Sequence, residues 1–280
     1  MRGFFMSEYE NLLRQIKSQV PVDESFDLLE RKLKIGERDA TMFFVDGLVD
    51  GDVMQRVVAS LQGLDKKTVD RAKTAGEFMA YNLAFLDCLL ASDMKQGIQF
   101  LYSGLIPLLI DGYDQIIIID GREYPLRSVA EPSKEKSLRG AKDGFVEAMM
   151  TNIALLRRRI RDNALIFKIY AVGDVTKTDV SLAYMKDRAD MDMVKKMDQT
   201  LKQLRLRGLT VTEQTLVEAL TGKKLSWCNP FPKVRYSQRP DIIAAHVEEG
   251  KLAVIVDNSP TVILLPAGIF DFLQDIDDYY

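Results

Sequence analysis

The sequence predicts an α/β protein made of two related α/β subdomains, each a mixed sheet flanked by helices, produced by internal duplication. Three observations carry this. The chain has 280 residues, 47% hydrophobic and 28% charged, long enough for two domains with their own cores and too apolar for wholesale disorder. A strand, an acidic turn and a helix occur twice at one offset. A helix, a glycine and a hairpin occur twice at a second offset.

In the first repeat Asp50 aligns with Asp190, an offset of 190 − 50 = 140. Met54, Val57, Leu61 and Leu64 then fall on Val194, Met197, Leu201 and Leu204, spaced as one face of an amphipathic helix. Asp52 and Asp192 are the expected N-caps, their carboxylates accepting from the free N–H groups of the first turn. Upstream, Thr41-Met42-Phe43-Phe44-Val45 and Val180-Ser181-Leu182-Ala183-Tyr184 read as strands. In the second repeat Gly104 aligns with Gly250, an offset of 250 − 104 = 146, and Asp111 with Asp257. Each glycine ends a helix, where a left-handed residue closes the last turn at little cost. A strand follows (106–110; 252–256), then a polar turn (Asp111-Gly112-Tyr113-Asp114; Asp257-Asn258-Ser259-Pro260), then a second strand (116–119; 261–265). The shift from 140 to 146 places six extra residues in the second copy, in the region 227–236. Between the copies runs the charged segment Ala130-Glu131-Pro132-Ser133-Lys134-Glu135-Lys136, so the expected domains are 1–127 and 128–280. A helix over 144–161 follows, with Asp143 as N-cap and Phe145, Met149, Ile153, Leu156 and Ile160 as its apolar stripe.

Composition narrows the function. The formal net charge of −3 argues against a nucleic-acid binder working by bulk electrostatics. Cys88 and Cys228 are too far apart for a disulfide framework or a clustered metal site. The apolar runs 105–119 and 252–265 are each broken near the middle, short of a membrane span. There is no Gly-x-Ser-x-Gly elbow, no Gly-x-Gly-x-x-Gly and no P-loop. The single histidine, His246, falls in a helix over 241–249 and reads as packed or solvated. Asp46, Asp50 and Asp52, with Asp187, Asp190 and Asp192, could offer oxygens to a hard cation, but helix capping in both copies is the simpler account. No enzyme activity, cofactor or metal is expected.

Two clusters stand out for contacts. Arg157, Arg158, Arg159 and Arg161 crowd the end of their helix, where cations complement the dipole. Successive helical residues point about 100° apart, so they cannot form one narrow patch. A solvated face with local ion pairs, an interdomain or intersubunit salt-bridge network, and contact with anionic lipid all remain open. Trp227-Cys228-Asn229-Pro230-Phe231-Pro232 can continue neither helix nor central strand, and Trp227 and Phe231 make it an aromatically anchored loop.

Several motifs occur together in order: Glu131-Pro132, Arg139-Gly140, Asp143-Gly144-Phe145-Val146-Glu147, Asn152, and Leu155-Leu156-Arg157-Arg158-Arg159-Ile160-Arg161. They continue with Asn229-Pro230-Phe231-Pro232, Arg239-Pro240-Asp241, Glu249-Gly250, Val256-Asp257 and Ser259-Pro260. In this the chain resembles the A subunits of bacterial spore germinant receptors, the GerA family, over most of its length and most tightly over 131–280. Lys177-Thr178-Asp179, residues 227–232 and Val234-Arg235-Tyr236 lean toward the stage V sporulation branch of that family. Gln238 departs from the pattern, standing where the family usually has Glu.

The resemblance implies the N-terminal portion of a longer membrane protein of spore germination, at the spore inner membrane and facing the core cytoplasm. That portion would assemble with, regulate or couple to an ion-conducting membrane half. The implied partners are other germination membrane proteins, with homo-oligomerisation through the membrane half and no nucleic acid. The residues expected to make interdomain or partner contacts are Glu131, Arg139, Arg157, Arg158, Arg159, Arg161, Trp227, Phe231, Arg239 and Asp241. The alternative is a module that senses a small molecule or ion in the cleft between domains.

Overall fold

The structure is a computed structural model, which describes residues 7–83, 87–124, 143–173, 177–204, 216–217 and 234–266. The chain forms two compact units, Met1–Tyr124 and Pro125–Tyr280.

Unit 1 begins with α1 (Glu8–Gln19), whose N-terminus is closed by a capping box between Ser7 and Glu10. The strands β1 (Leu28–Ile35) and β2 (Arg38–Val45) form a hairpin, and α2 (Gly51–Gln62), α3 (Lys66–Arg71) and α4 (Ala75–Asn82) follow. Then come β3 (Cys88–Leu90), α5 (Met94–Tyr102), β4 (Ile106–Ile110) and β5 (Ile117–Ile119). The sheet order is β1-β2-β4-β5-β3. One sheet face packs with α2, α3 and α4 around Met42, Leu61, Phe78, Leu108 and Ile117. On the other, α1 lies against β4 and α5, and Tyr9 Oη meets Thr41 Oγ1 of β2 at 2.8 Å. With both faces covered, β4 and β5 are apolar at every position apart from Pro107.

Unit 2 repeats this plan with α6 (Met149–Arg159), β6 (Leu165–Val172), β7 (Thr178–Met185), α7 (Met191–Gln203), β8 (Arg235–Ser237), α8 (Pro240–Glu248), β9 (Leu252–Val256) and β10 (Val262–Leu265). The sheet order is β6-β7-β9-β10-β8. Its core gathers Ile166, Leu182, Val194, Leu201, Val254 and Ile263, with Leu216 buried among them. The duplication reaches individual hydrogen bonds. Asp111 N donates to Asp39 O at 2.8 Å, and Asp257 N to Asp179 O at 2.9 Å. Gly104 and Gly250 both take positive φ, +86° and +98°, just past the helices they terminate. A Cβ on Gly250 would sit 2.6 Å from the Arg188 carbonyl oxygen, so this turn demands glycine.

Four expectations need correction. The N-caps are Asp50 and Asp190, not Asp52 and Asp192: each accepts from the N–H groups two and three residues on, which puts Asp52 and Asp192 inside the first turn. The Arg-rich helix starts at Met149 rather than Gly144, because the Val146 backbone is taken by the Asn152 side chain. Asp143 is accordingly no cap and pairs with Arg159. The sheets are antiparallel throughout, not mixed in strand direction. In unit 1, α3, α4, β3 and α5 intervene between α2 and β4, so β4 is not the return strand of a β–α–β unit. The six extra residues precede Arg235, where the offset is already 146, and lie outside the described residues. Among the described residues no strand pairs with the outer side of β1 or β6.

Candidate functional site

The motif residues of unit 2 converge on the segment 143–148, which leads into α6. Asn152, wholly buried, clasps Val146 from both sides: its Nδ2 donates to Val146 O at 2.6 Å and its Oδ1 accepts from Val146 N at 2.8 Å. Phe145 N donates to Gln238 O at 2.9 Å, tying the segment to the junction of β8 and α8. The hairpin turn after β9 supplies the rest. Asp257 Oδ1 accepts from Met149 N at 3.1 Å, filling the cap that Ala148 cannot provide, and Asn258 N donates to Glu147 O at 2.8 Å. Asn258 reaches this position with φ of +64°. Three parts of the chain thus fix this segment at Phe145, Val146 and Glu147 through its own backbone groups.

The arginines take three different roles. Arg157 is fully buried; its Nη1 donates to Asp162 O at 3.1 Å and its Nη2 to Leu165 O at 3.0 Å, while the guanidinium carbon lies 5.1 Å from the centre of the Phe167 ring. It closes the turn between α6 and β6 from inside, by charge-assisted bonds and a cation–π contact. Arg159 pairs with Asp143, fastening the start of the lead-in segment to the end of α6, and its Nη1 donates to Leu155 O at 3.1 Å. Arg158 and Arg161 are exposed, and Arg161 Nε donates to Arg158 O at 3.2 Å. One sequence cluster therefore splits into a structural member, a fastening member and two outward members.

Arg239 and Asp241 form a two-pronged pair, Nε to Oδ1 at 3.2 Å and Nη2 to Oδ2 at 2.7 Å, at the start of α8. Burial pushes the Asp241 carboxyl up, but the Arg239 guanidinium outweighs it and holds the group below the usual carboxylate range. Pro240 is the first residue of α8, where its missing N–H costs nothing. Glu131, Arg139, Trp227 and Phe231 lie outside the described residues.

Chemistry of other kinds finds little here. Among the described residues no three His, Cys, Asp or Glu side chains gather as a metal site, and no helix is long and apolar enough to cross a membrane. Burial, with Asp87 and Asp120 nearby, pushes the Cys88 thiol up to about 11, away from a reactive thiolate. Sequence reasoning missed the roles of Asn152 and Asp257. Asp257 reads locally as a turn residue, and nothing in its spacing points to an N–H 108 positions away.

Comparison with known proteins places these features in context. Residues 14–280 match the family model described as the Bacillus/Clostridium GerA spore germination protein. The chain is 35% identical over 263 residues to stage V sporulation protein AF of Bacillus subtilis (strain 168), covering 94% of this chain and 52% of that protein. It is 28% identical to spore germination protein KA of the same organism, covering 92% and 47%, and 29% identical to spore germination protein B1, covering 98% and 55%. It thus spans about half the length of these curated relatives. Among solved structures, the N-terminal domain of the A subunit of the Bacillus megaterium spore germinant receptor GerK3 superposes with a TM-score of 0.66 at 26% identity, over 92% of this chain and 94% of that one.

Proposed function

The chain belongs to the GerA family of Bacillus and Clostridium spore germination proteins, and from that premise we propose that it is the N-terminal part of a longer germination protein, non-enzymatic, which couples or assembles an ion-conducting membrane half. That half holds it at the spore inner membrane, with this portion facing the core cytoplasm. Its partners are other germination membrane proteins, including further copies of itself joined through the membrane half.

The observation that carries this reading is the clasp on residues 143–148. A catalytic site concentrates convergent reactive groups in a cavity. Here the family-pattern residues Asp143, Asn152, Arg159 and Asp257 are spent instead on fixing the segment, with Asn258 beside them. They make the segment entering unit 2 move with the body of that unit, as a part that transmits displacement requires. The N-terminal domain of the GerK3 A subunit has the same fold, which supports placing this chain at the same position in its own protein.

The test is germination of spores carrying Asn152→Ala in the full-length protein. The variant removes both bonds to Val146 while the cores of the two units stay intact. Slowed germination at unchanged protein level in the inner-membrane fraction is the expected result. Germination at the wild-type rate, with amide exchange showing the segment loosened, would overturn the coupling role.

A further inference from the structure

Residues 146–149 are fastened at two points of different kinds. One is internal. Asn152, one turn into α6, holds both backbone groups of Val146 and donates its own N–H to Ala148 O at 3.2 Å. The other is external: Asp257 Oδ1 accepts from Met149 N, and Asn258 N donates to Glu147 O. Apart from the helical bonds of α6, these are the hydrogen bonds that the four residues make among the described residues. Asn152 belongs to α6 and moves with it. The turn after β9 is therefore the hydrogen-bonded joint between this stretch and the sheet. Its geometry suits that task. Asn258 Nδ2 donates to Asp257 Oδ2 at 3.1 Å, which leaves Oδ1 for Met149. Asn258 is left-handed, a conformation that asparagine tolerates and most side chains resist. Asp257 N donates to Asp179 O, so the turn is seated on β7 as well as on its own hairpin. Unit 1 has the seat without the joint. Asp111 N donates to Asp39 O in the same way, but Gly112, at φ of +88°, stands in the place of Asn258, and α1 takes its cap from its own Ser7. At the offset of 140 Glu147 falls on Ser7 and Asn152 on Leu12, so neither the borrowed cap nor the internal tie has a counterpart.

We infer that the turn Asp257-Asn258 is a catch: it fastens residues 146–149 and the N-terminus of α6 to the sheet of unit 2, and it opens in one step while the Asn152 tie stays shut. The two bonds of the catch leave adjacent residues of one tight turn, and the Asn258 side chain orients the carboxylate that makes the other. Losing one therefore frees the other. Open, the stretch and the first turn of α6 shift together, as a local unit, while Ile153 and Leu156 stay buried further along the helix. Closed, a displacement of the stretch reaches β7 and β9 through the turn itself. The catch takes its purpose from the coupling role proposed above and rests on that reading there, while its opening is a property of unit 2 alone.

The experiment measures amide exchange in the 280-residue chain, wild type and Asp257→Ala, corrected for intrinsic rate and referred to Leu252–Val256 of β9. Loss of one capping side chain corresponds to about fivefold more frequent opening. That rise is expected at Met149 and, through the shared turn, equally at Asn258. Val146, held by Asn152 inside the moving part, should stay as protected as in the wild type. Asp257→Asn, whose amide oxygen still accepts from Met149, should restore slow exchange at both positions. Unchanged exchange at Asn258 in Asp257→Ala would overturn the catch. So would opening of Val146 or β9 to the same extent as Met149, or an Asp257→Asn variant that behaves like Asp257→Ala. Exchange reads the catch, and germination of Asn152→Ala spores reads the coupling role, so either can fail while the other stands.

Discussion

The helix that opens each unit meets the first strand of its sheet at equivalent places, yet the two contacts are built differently. In unit 1, Lys17 at the end of α1 reaches Glu30 of β1 at 2.7 Å, with the lysine side chain 36% exposed. In unit 2, Arg157 occupies the place of Lys17 and Phe167 that of Glu30; the guanidinium is fully buried, over the ring and under two carbonyls. A similar change occurs one layer away. Tyr9 bonds Thr41 in unit 1, whereas Met149 and Ser181 stand at those positions in unit 2, leaving the buried Ser181 Oγ without a partner among the described residues. Backbone bonds survived the duplication while side-chain pairs did not. At the helix–strand contact unit 1 keeps its ion pair near water, where it contributes little, and unit 2 has taken the guanidinium inside, where losing a partner is costly.

The largest expected break in this comparison is Arg157→Ala. It strips two buried carbonyls of their donors and empties the space over Phe167, so unit 2 should lose about 3 kcal/mol or more. Lys17→Ala should cost unit 1 less than about 1 kcal/mol. Amide exchange in β6 and β1 reads the two units separately, and equal losses would show that burial makes no difference here. A smaller effect concerns the hydroxyls. Thr41→Val leaves Tyr9 Oη without its bond and should destabilise unit 1 by about 1 kcal/mol, whereas Ser181→Ala should be neutral or stabilising in denaturant titration. The comparison fails if both substitutions cost the same.

The smallest expected effect is on pH. The Asp241 carboxyl is held below its ordinary value by Arg239. Its contribution is therefore present in full above the ordinary carboxylate range, about pH 4, and is lost as pH falls below it through the folded-state value. Unit 1 has a parallel in Asp120, lowered by Arg122. Acid titration of thermal stability should fall less steeply in Arg239→Met than in the wild type, and an identical slope would leave the pair without energetic weight.

What the sequence made legible follows from the range of the interactions involved. The repeats, the helices after Asp50 and Asp190, the glycine turns and both hairpins rest on local spacing, and spacing is visible in one dimension. The hairpin strands β1 and β6 were not read, because charged residues at Glu30, Arg31, Lys32 and Lys34 dilute the alternation in the first and partial burial blurs it in the second. Asn152 and Asp257 stood among the resembling motifs, but their partners are backbone groups, which leave no mark in the sequence. The arginine run was visible as a cluster, while its division into buried and exposed members depends on how α6 packs and on the Asp162 and Leu165 carbonyls that hold Arg157, which leave no mark in the sequence.

The outer edges of β1 and β6 carry a consequence for the chain in solution. Both are eight residues long, and an open edge of that length is a template on which another molecule can add a strand. On β1 the exposed positions include Arg31, Lys32 and Lys34, whose repulsion and hydration discourage such addition. On β6 they are Ile169, 44% exposed, and Ala171, with only the half-buried Lys168 nearby. Among the described residues β6 is therefore the less protected edge, and self-association at high concentration is expected to start there rather than at β1.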